Sequence, residues 1–233
     1  MIGILCALDR EIELLISELE VVERRSLCGY DYAVGELRGQ RVVLCKCGVG
    51  KVNAAVCAQT MILTWPVRLI VNSGVEGALK APLEIGDICV ATELVQHDVD
   101  TTAFGDPPGL LALASVGEKV YFPCAQWAVD AILAAADGLD GVRAVPGRIA
   151  SGDQFISDRA VKERIVKNFD ASACEMEGGA IAQVCCISGV DCAVIRAISD
   201  SSSGKHEMEF QEFLPMAART SAQVVLEFLG NIN

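Results

Sequence analysis

Short, continuous apolar segments alternate with segments of helical periodicity along most of the chain. The first segment, MIGILCAL, is uninterrupted and apolar, which is typical of a strand buried on both faces. The segment after it has apolar residues at helical spacing, namely Ile12, Leu15, Ile16 and Leu19. Asp9 is the expected N-cap of this helix. A strand followed directly by a helix is therefore predicted at the start of the chain.

The same alternation continues to the end of the chain. The segments YDYAVGEL and QRVVLCKC are predicted to form a β-hairpin that turns at Arg38 and Gly39. Further strands are predicted at RLIVNSG, GDICVATELVQHD, VRAVPGRIASG, ASACEM and DCAVIRAIS. Helices are predicted at GKVNAAVCAQTMILT, CAQWAVDAILAAA, DRAVKERIVKNF, GGAIAQVCCIS and from Glu207 onward. The Pro- and Gly-rich segment from Thr101 to about Val116 is predicted to be a loop.

This order of elements predicts an α/β fold with three layers, in which a mixed, mostly parallel central sheet is flanked by helices on both faces. The chain has no linker, repeat or low-complexity segment, so we expect one domain over residues 1–233. Ligands of such sheets bind beyond the carboxyl ends of the strands. The residues that follow each strand are therefore the candidates for chemistry.

Composition narrows the possible partners. The net charge of −12 argues against non-specific binding to nucleic acid or anionic membranes. The 11 cysteines lie within apolar segments and fit buried thiols in a reducing cytoplasm. The first residues have no basic region or cleavage site of a signal peptide, and no apolar segment reaches membrane-spanning length. The cysteines form no CxxC pairs and the chain has 2 histidines, so no structural metal is expected.

A glycine-rich segment, KCGVGKVNAA, follows the third predicted strand. A phosphate-binding P-loop would require Ser or Thr at position 52, which is Val52, and a dinucleotide fingerprint would require Gly at position 53, which is Asn53. Nucleotide polyphosphates are therefore not expected here. Close approach of the glycine backbone to a neutral ligand stays open.

Several acids follow predicted strands. Glu11 lies in the first turn of the first helix, where it either stabilises the helix dipole or acts as a general base. Glu175 and Glu177 are two residues apart, so in a strand they share a face, but a helix that begins at Gly178 would change the geometry at Glu177. Asp200 ends the last predicted strand, either as a cap of the next loop or as an acid for chemistry.

Other charged and aromatic residues leave more than one interpretation. Arg196 lies in an apolar segment, and a buried arginine needs an anionic partner. Gly74 and Gly77 follow the fourth predicted strand, and Glu76 between them is expected to be a solvated loop residue. Phe155 fits either a ring that stacks on a flat ligand or a core residue.

Together, Glu11, Glu175, Glu177, Asp200 and Arg196 predict an acid-lined pocket without a metal. Paired carboxylates in such a pocket suit hydrolysis at a sugar carbon, because one acid assists the leaving group and another acts on the water or the developing positive charge.

Seven segments in the same order and spacing carry a family resemblance: IGILCALDREIELL, GVGKVNAA, HDVDTTAFG, SGDQFI, CEMEGGAIAQV, RAISD and FQEFL. Over nearly its whole length the chain resembles the 5′-methylthioadenosine/S-adenosylhomocysteine nucleosidases of the purine nucleoside phosphorylase superfamily. The resemblance implies a nucleoside phosphorylase-like fold and hydrolysis of the N-glycosidic bond of methylthioadenosine, S-adenosylhomocysteine and 5′-deoxyadenosine, without a cofactor.

The resemblance also implies roles for single residues. Glu11 matches the base that activates water, Glu177 the acid that binds the ribose hydroxyls, and Asp200 the acid that protonates purine N7. The other implied substrate contacts are Met176 against the sugar, Arg196 near the water, Phe155 and Ile156 at the adenine, Phe210 in the 5′ pocket, and Val49, Gly77 and Ser199. Phe104 and Pro108 match residues that a neighbouring subunit lends to the pocket, since the family is typically a homodimer.

The chain departs from the family pattern at three places. Val75 replaces a serine near the water, Glu76 replaces a small residue, and the loop after Phe104 is shorter. These departures leave open a nucleosidase for another 5′-substituted nucleoside of futalosine type. A phosphorylase is a further alternative, although the segment ALDREIE lacks the expected Gly-Asp-Pro loop and Glu11 would repel phosphate. A nucleoside-binding module without catalysis is the alternative from a different class.

Overall fold

The computed structural model describes residues 1–200 and 206–232. The helices are α1 Asp9–Glu18, α2 Lys51–Thr64, α3 Gln126–Asp137, α4 Arg159–Phe169, α5 Gly178–Ser188 and α6 His206–Asn231, with a short 3-10 helix at Thr102–Phe104. The strands are β1 Ile2–Cys6, β2 Glu20–Leu27, β3 Tyr30–Leu37, β4 Gln40–Lys46, β5 Leu69–Ala78, β6 Ile88–Gln96, β7 Leu111–Leu113, β8 Gly117–Lys119, β9 Tyr121–Pro123, β10 Ala144–Ser151, β11 Ala173–Glu175 and β12 Asp191–Asp200.

A ten-stranded sheet forms the middle layer, in the order β11-β10-β6-β12-β5-β1-β4-β3-β2, with β9 paired to β6. Parallel pairs join β4, β1, β5 and β12, and also β6, β10 and β11. The β2–β3–β4 meander and the β12–β6 pair are antiparallel. Strand β1 is apolar throughout and buried throughout, as a strand covered on both faces must be. The predicted mixed α/β sheet is confirmed.

Helices cover both faces of this sheet. Helix α6 packs on β12 and β5 and contacts α1 and α3, whereas α2 and α5 pack together on the opposite face. One hydrophobic cluster runs from Ile2 to Leu229 through all these elements. The predicted three layers are therefore present. Within the described ranges, none of the helices is both long enough and apolar enough to span a bilayer.

The short strand β11 closes part of the sheet into a ring. It pairs in parallel with β10, where Glu175 lies opposite Ser151, and antiparallel with β5, where Cys174 lies opposite Gly77. Strands β5, β12, β6, β10 and β11 therefore form a closed circuit of neighbours. The closure brings Glu175, at the end of β11, next to the buried side chains of β12.

Three local predictions are wrong. The N-cap of α1 is Leu8, which is extended at φ −113° and ψ 155°, and Asp9 is the first helical residue. Strand β5 continues to Ala78 because it pairs with β12 and β11, so Glu76 is a buried strand residue instead of a solvated loop residue. The segment from Thr101 to Val116 contains the 3-10 helix and β7, which pairs with β8.

Candidate active site

Arg196 lies at the centre of a buried cluster of carboxylates. Its Nη2 donates hydrogen bonds to Glu175 and, at 2.5 Å, to the side-chain oxygen of Asn72. The carboxylate of Glu177 lies 3.6 Å from the same nitrogen. The prediction that this arginine has an anionic partner is confirmed, because β12 places it opposite β5 and the ring closure supplies Glu175.

Glu11 lies in the first turn of α1, as predicted, and its carboxylate is held by backbone groups. One oxygen accepts hydrogen bonds from the N–H groups of Ala7 and Leu8, both at 2.8 Å, and the other accepts one from Val75 at 3.0 Å. Burial raises the pKa of Glu11, and Arg196 and these N–H groups oppose that rise. A base with a raised pKa that accepts from fixed donors is suited to take a proton near neutral pH.

The close approach of Glu11 and Arg196 requires a glycine at position 74. A Cβ atom there would lie 2.5 Å from Glu11 Oε1 and 2.9 Å from Arg196 Nη1. Any side chain at this position would therefore separate the acid from the arginine. The carboxylate and the guanidinium therefore lie on the same face of β5 at Gly74.

Glu175 and Glu177 have different environments although they are two residues apart. Glu175 ends β11 and accepts hydrogen bonds from Ser151 Oγ, from Arg196, and from the N–H groups of Glu177 (2.9 Å) and Gly178 (2.7 Å). Burial opposes its charge, but Arg196 and these donors hold the pKa of Glu175 below its ordinary value. Glu175 therefore anchors the start of α5 and the arginine.

Glu177 is the N-cap of α5, so the helix does begin at Gly178 and the two acids do not share a regular strand face. Its Oε1 accepts the N–H of Gly50 at 2.8 Å. Gly50 has φ +101°, a conformation that favours glycine, and this turns its N–H toward the acid. Burial, with the charge of Glu175, raises the pKa of Glu177 to about 7. The glycine-rich segment after β4 thus holds a carboxylate.

Asp200 ends β12, where the sheet register shifts between Ile198 and Asp200. The register shift turns its carboxyl toward Gly77, where a Cβ atom would lie 2.8 Å from Asp200 Oδ2. Lys162 Nζ lies 3.8 Å from the same oxygen and donates to the carbonyl of Ala78 at 3.1 Å. This buried lysine is not among the predicted site residues. Lys162, Ile165 and Phe169 are spaced so that they lie on one face of α4, and this helical spacing in the sequence indicates that the lysine is buried.

Glu76 is 3% exposed, and within the described part of the chain neither oxygen of its carboxyl has a hydrogen-bond partner. The charged groups nearest to it are Arg196 and Glu175, and the Cys89 thiol also lies near. Burial raises the pKa of Glu76 well above its ordinary value, and Glu175 adds to that rise. The surroundings of Glu76 therefore favour its protonated form.

The remaining predicted site residues lie in several places. Phe155 and Phe210 contact each other edge to face, with ring centroids 5.7 Å apart. Ile156 and Ser199 are buried, Met176, Gly77 and Pro108 are half-buried, and Val49 and Phe155 are partly exposed. Ser199 Oγ donates to the carbonyl of Glu76 at 3.1 Å. Phe104 is 88% exposed in the 3-10 helix.

The cluster has more acids than cations. Five carboxyl groups share Arg196 and Lys162 among the residues that the structure describes: Glu11, Glu76, Glu175, Glu177 and Asp200. Like charges at this depth favour protonated forms. The arrangement therefore combines proton-holding acids with an arginine at the carboxyl ends of the strands, which are the features of an acid–base site.

The fold and the site together define a class of proteins. A sequence profile of the phosphorylase superfamily matches residues 1–230. The chain therefore belongs to the phosphorylase superfamily, as its motifs predict.

Individual relatives narrow the similarity from the superfamily to nucleosidases. The 5′-methylthioadenosine/S-adenosylhomocysteine nucleosidase of Psychromonas ingrahamii is 36% identical over 233 residues, which covers 100% of this chain and 99% of that protein. The Neisseria meningitidis nucleosidase of the same name, solved with methylthio-immucillin-A, has a TM-score of 0.93, 36% identity and 99% coverage of both chains. The futalosine hydrolase of Helicobacter pylori has a TM-score of 0.91 and 34% identity, over 99% of this chain and 97% of its own. The predicted resemblance to nucleosidases, which are N-glycosyl hydrolases, is confirmed.

Proposed function

We propose that the protein hydrolyses the N-glycosidic bond of 5′-methylthioadenosine and S-adenosylhomocysteine, with 5′-deoxyadenosine as a further substrate. The observation that carries the proposal is that Glu11 and Arg196 both approach Gly74, where fixed backbone donors hold a carboxylate of raised pKa. In this proposal Glu11 takes a proton from the attacking water, and Arg196 orients that water.

Glu177 binds the ribose hydroxyls. Its fixed hydrogen bond from Gly50 and its distance of 3.6 Å from Arg196 leave acceptor capacity on the carboxylate for hydroxyl donors. Bond cleavage at the sugar carbon develops positive charge on the ring, so a nearby carboxylate binds the transition state more tightly than the substrate. Met176, directly before Glu177, packs against the sugar.

Asp200 protonates N7 of the departing purine. A purine that leaves without a proton carries negative charge, so protonation lowers the barrier. The carboxyl lies beside Gly77 and Ser199, and Lys162 stands 3.8 Å away as a charge partner. Phe155 stacks on the base, Ile156 contacts its edge through the backbone, and Val49 adds an apolar contact.

Water, in this proposal, is preferred over phosphate. Phosphate is an anion, and Glu11 and Glu177 stand where it would have to enter, with Arg196 already bonded to Glu175 and Asn72. The reaction therefore needs no added phosphate and no cofactor.

The 5′ group lies in an apolar pocket walled by Phe210, which already contacts Phe155. An exposed Phe104 fits a side chain lent to the pocket of a second copy, together with Pro108, so the protein acts as a homodimer.

Adenine release without phosphate, measured on methylthioadenosine, S-adenosylhomocysteine and inosine, tests the proposal. We expect release from the first two, little from inosine, and no effect of added phosphate. Turnover that requires phosphate would establish a phosphorylase instead. A Glu11→Ala variant as active as wild type would contradict the role of Glu11.

A second substrate class is a 5′-substituted nucleoside of futalosine type. The observation that favours it is the likeness to a futalosine hydrolase at a TM-score of 0.91, in a chain with Val75 and Glu76 beside the site. The same assay with futalosine in place of inosine distinguishes the two, since the preferred substrate has the higher kcat/KM.

A further inference from the structure

Three charged residues join the loops on either side of the site in a closed ring of hydrogen bonds. Lys51 Nζ donates to Asp98 Oδ1 at 2.6 Å, and Asp98 Oδ2 accepts the N–H of Asp153 at 3.0 Å. Asp153 Oδ1 in turn accepts the N–H of Lys51 at 2.8 Å. The ring links the start of α2, the end of β6 and the loop after β10, with one hydrogen bond between each pair of these segments.

The segments that this ring joins carry different halves of the proposed nucleoside site. Lys51 follows Gly50, whose N–H holds the carboxylate of Glu177 at 2.8 Å. Asp153 begins the segment that carries Phe155 and Ile156. One side of the ring therefore holds the ribose acid, and the other side holds the residues proposed for the base.

The ion pair of the ring is partly shielded from water and braced by a further element, whereas Asp153 is exposed. The side chains of Lys51 and Asp98 are 17% and 16% exposed, so solvent and salt screen this ion pair less than a surface pair. Burial opposes the charge of Asp98, but Lys51 and the N–H of Asp153 hold its pKa below the ordinary value, so it stays ionised. Lys51 Nζ also donates to Gln96 at 3.1 Å, and Gln96 bonds Gln183 of α5 at 2.6 Å.

We propose that Lys51, Asp98 and Asp153 form a positioning clamp that fixes the distance between Glu177 and the base-binding segment at Phe155 and Ile156. The inference rests on the proposed function. A nucleoside spans both halves of the site, so its reaction needs a fixed distance between them, and a displacement of about 1 Å costs up to ~100-fold in rate. Free adenine occupies one half and does not need that distance.

The test compares variants of the full-length protein. Lys51→Met removes the bond from Nζ to Asp98 and keeps the two bonds that backbone N–H groups donate. Asp153→Ala removes only the acceptor of the Lys51 N–H. Asp153→Asn keeps an Oδ1 acceptor for the N–H of Lys51 and is the conservative variant. Lys80→Met is the matched control, because Lys80 also pairs with an aspartate of a distant segment, Asp170, outside the site.

We measure kcat and KM for methylthioadenosine, the inhibition constant of adenine, and the melting temperature. Lys51→Met and Asp153→Ala should lower kcat/KM by about 10- to 100-fold. Adenine inhibition should change by less than about threefold, since base binding needs one half of the site. Asp153→Asn and Lys80→Met should stay near wild type. The clamp would be overturned if adenine inhibition weakened as much as kcat/KM for the nucleoside fell. It would also be overturned if neither Lys51→Met nor Asp153→Ala lowered kcat/KM.

Hydrogen exchange separates failure of the clamp from failure of the proposed function, because it needs no substrate. Lys51→Met should raise exchange at the amides of residues 49–51 and 153–156, whereas Lys80→Met should not. If wild type cleaves neither nucleoside but this pattern appears, the proposed function fails and the clamp is supported. Unchanged exchange at both segments in Lys51→Met would overturn the clamp whatever the activity.

Discussion

Replacing Glu76 with methionine should stabilise the protein. The carboxyl is 3% exposed and neither oxygen has a hydrogen-bond partner in the described part of the chain. An unsatisfied buried polar group costs about 1–3 kcal/mol, and methionine fills a similar volume without that cost. At roughly 2–4 °C per kcal/mol for a chain of this size, the melting temperature should rise by about 2–12 °C.

The gain should also depend on pH, with a sign that follows from the raised pKa of Glu76. In the unfolded chain the carboxyl loses its proton above about pH 4.3, while the folded protein keeps the proton to much higher pH. The folded state therefore binds more protons, and this residue's contribution to stability, which is full below about pH 4.3, is lost as the pH rises toward the folded pKa. Methionine has no such loss, so its advantage grows with pH across that window.

Denaturant unfolding of wild type and variant, from about pH 5 to about pH 8, measures the difference in free energy of unfolding. Glu76→Gln is the control, because it cannot titrate but keeps a polar group in the same place. It should lose the pH dependence without gaining the full stability. Parallel curves for wild type and Glu76→Met, or a less stable methionine variant at every pH, would show that the carboxyl has a compensating partner and refute the reasoning.

Three further predictions concern the neighbours of Arg196 and Asp200. Glu177→Gln should abolish the rise of kcat/KM with pH near 7, because the pKa of Glu177 is raised to about 7 and its carboxylate is the proposed acceptor for the ribose hydroxyls. A pH–rate profile of the variant in which kcat/KM still rises near pH 7 would contradict this role. Glu175→Gln should lower the free energy of unfolding by about 3–5 kcal/mol, because it leaves Arg196 without its closest charged partner. Denaturant unfolding measures this difference. A decrease in the free energy of unfolding below about 1 kcal/mol would mean that Glu177 or Glu11 replaces Glu175 as the partner of Arg196. Lys162→Met should lower kcat for nucleoside cleavage by about tenfold or more with little change in KM, because Lys162 helps to position the Asp200 carboxyl and a positioned proton donor contributes about 10²–10⁴-fold. Steady-state kinetics that show a change in KM alone would count against this role.

The sequence alone determines the elements whose cause is local. The continuous apolar segment of β1 and the helical spacing of α1 predict both elements, and Glu11 follows from them as a first-turn acid. The β3–β4 hairpin turns at Arg38 and Gly39, with φ of 49° and 76°, as the short polar turn predicts. In each case the residues that make the structure are neighbours along the chain.

Tertiary structure decided the chemistry around Arg196. The pattern of ACEM predicts a strand but not its partners, and the closure of β11 onto β5 brought Glu175 to the hydrogen bond that Arg196 donates. The same closure buried Glu76, although the glycines on either side of it predict a loop. Helix α4 placed Lys162 next to Asp200. The hydrophobic periodicity of a segment indicates which of its residues are buried. The contacts around Arg196 join residues tens of positions apart, so they depend on which distant strands pair with each other.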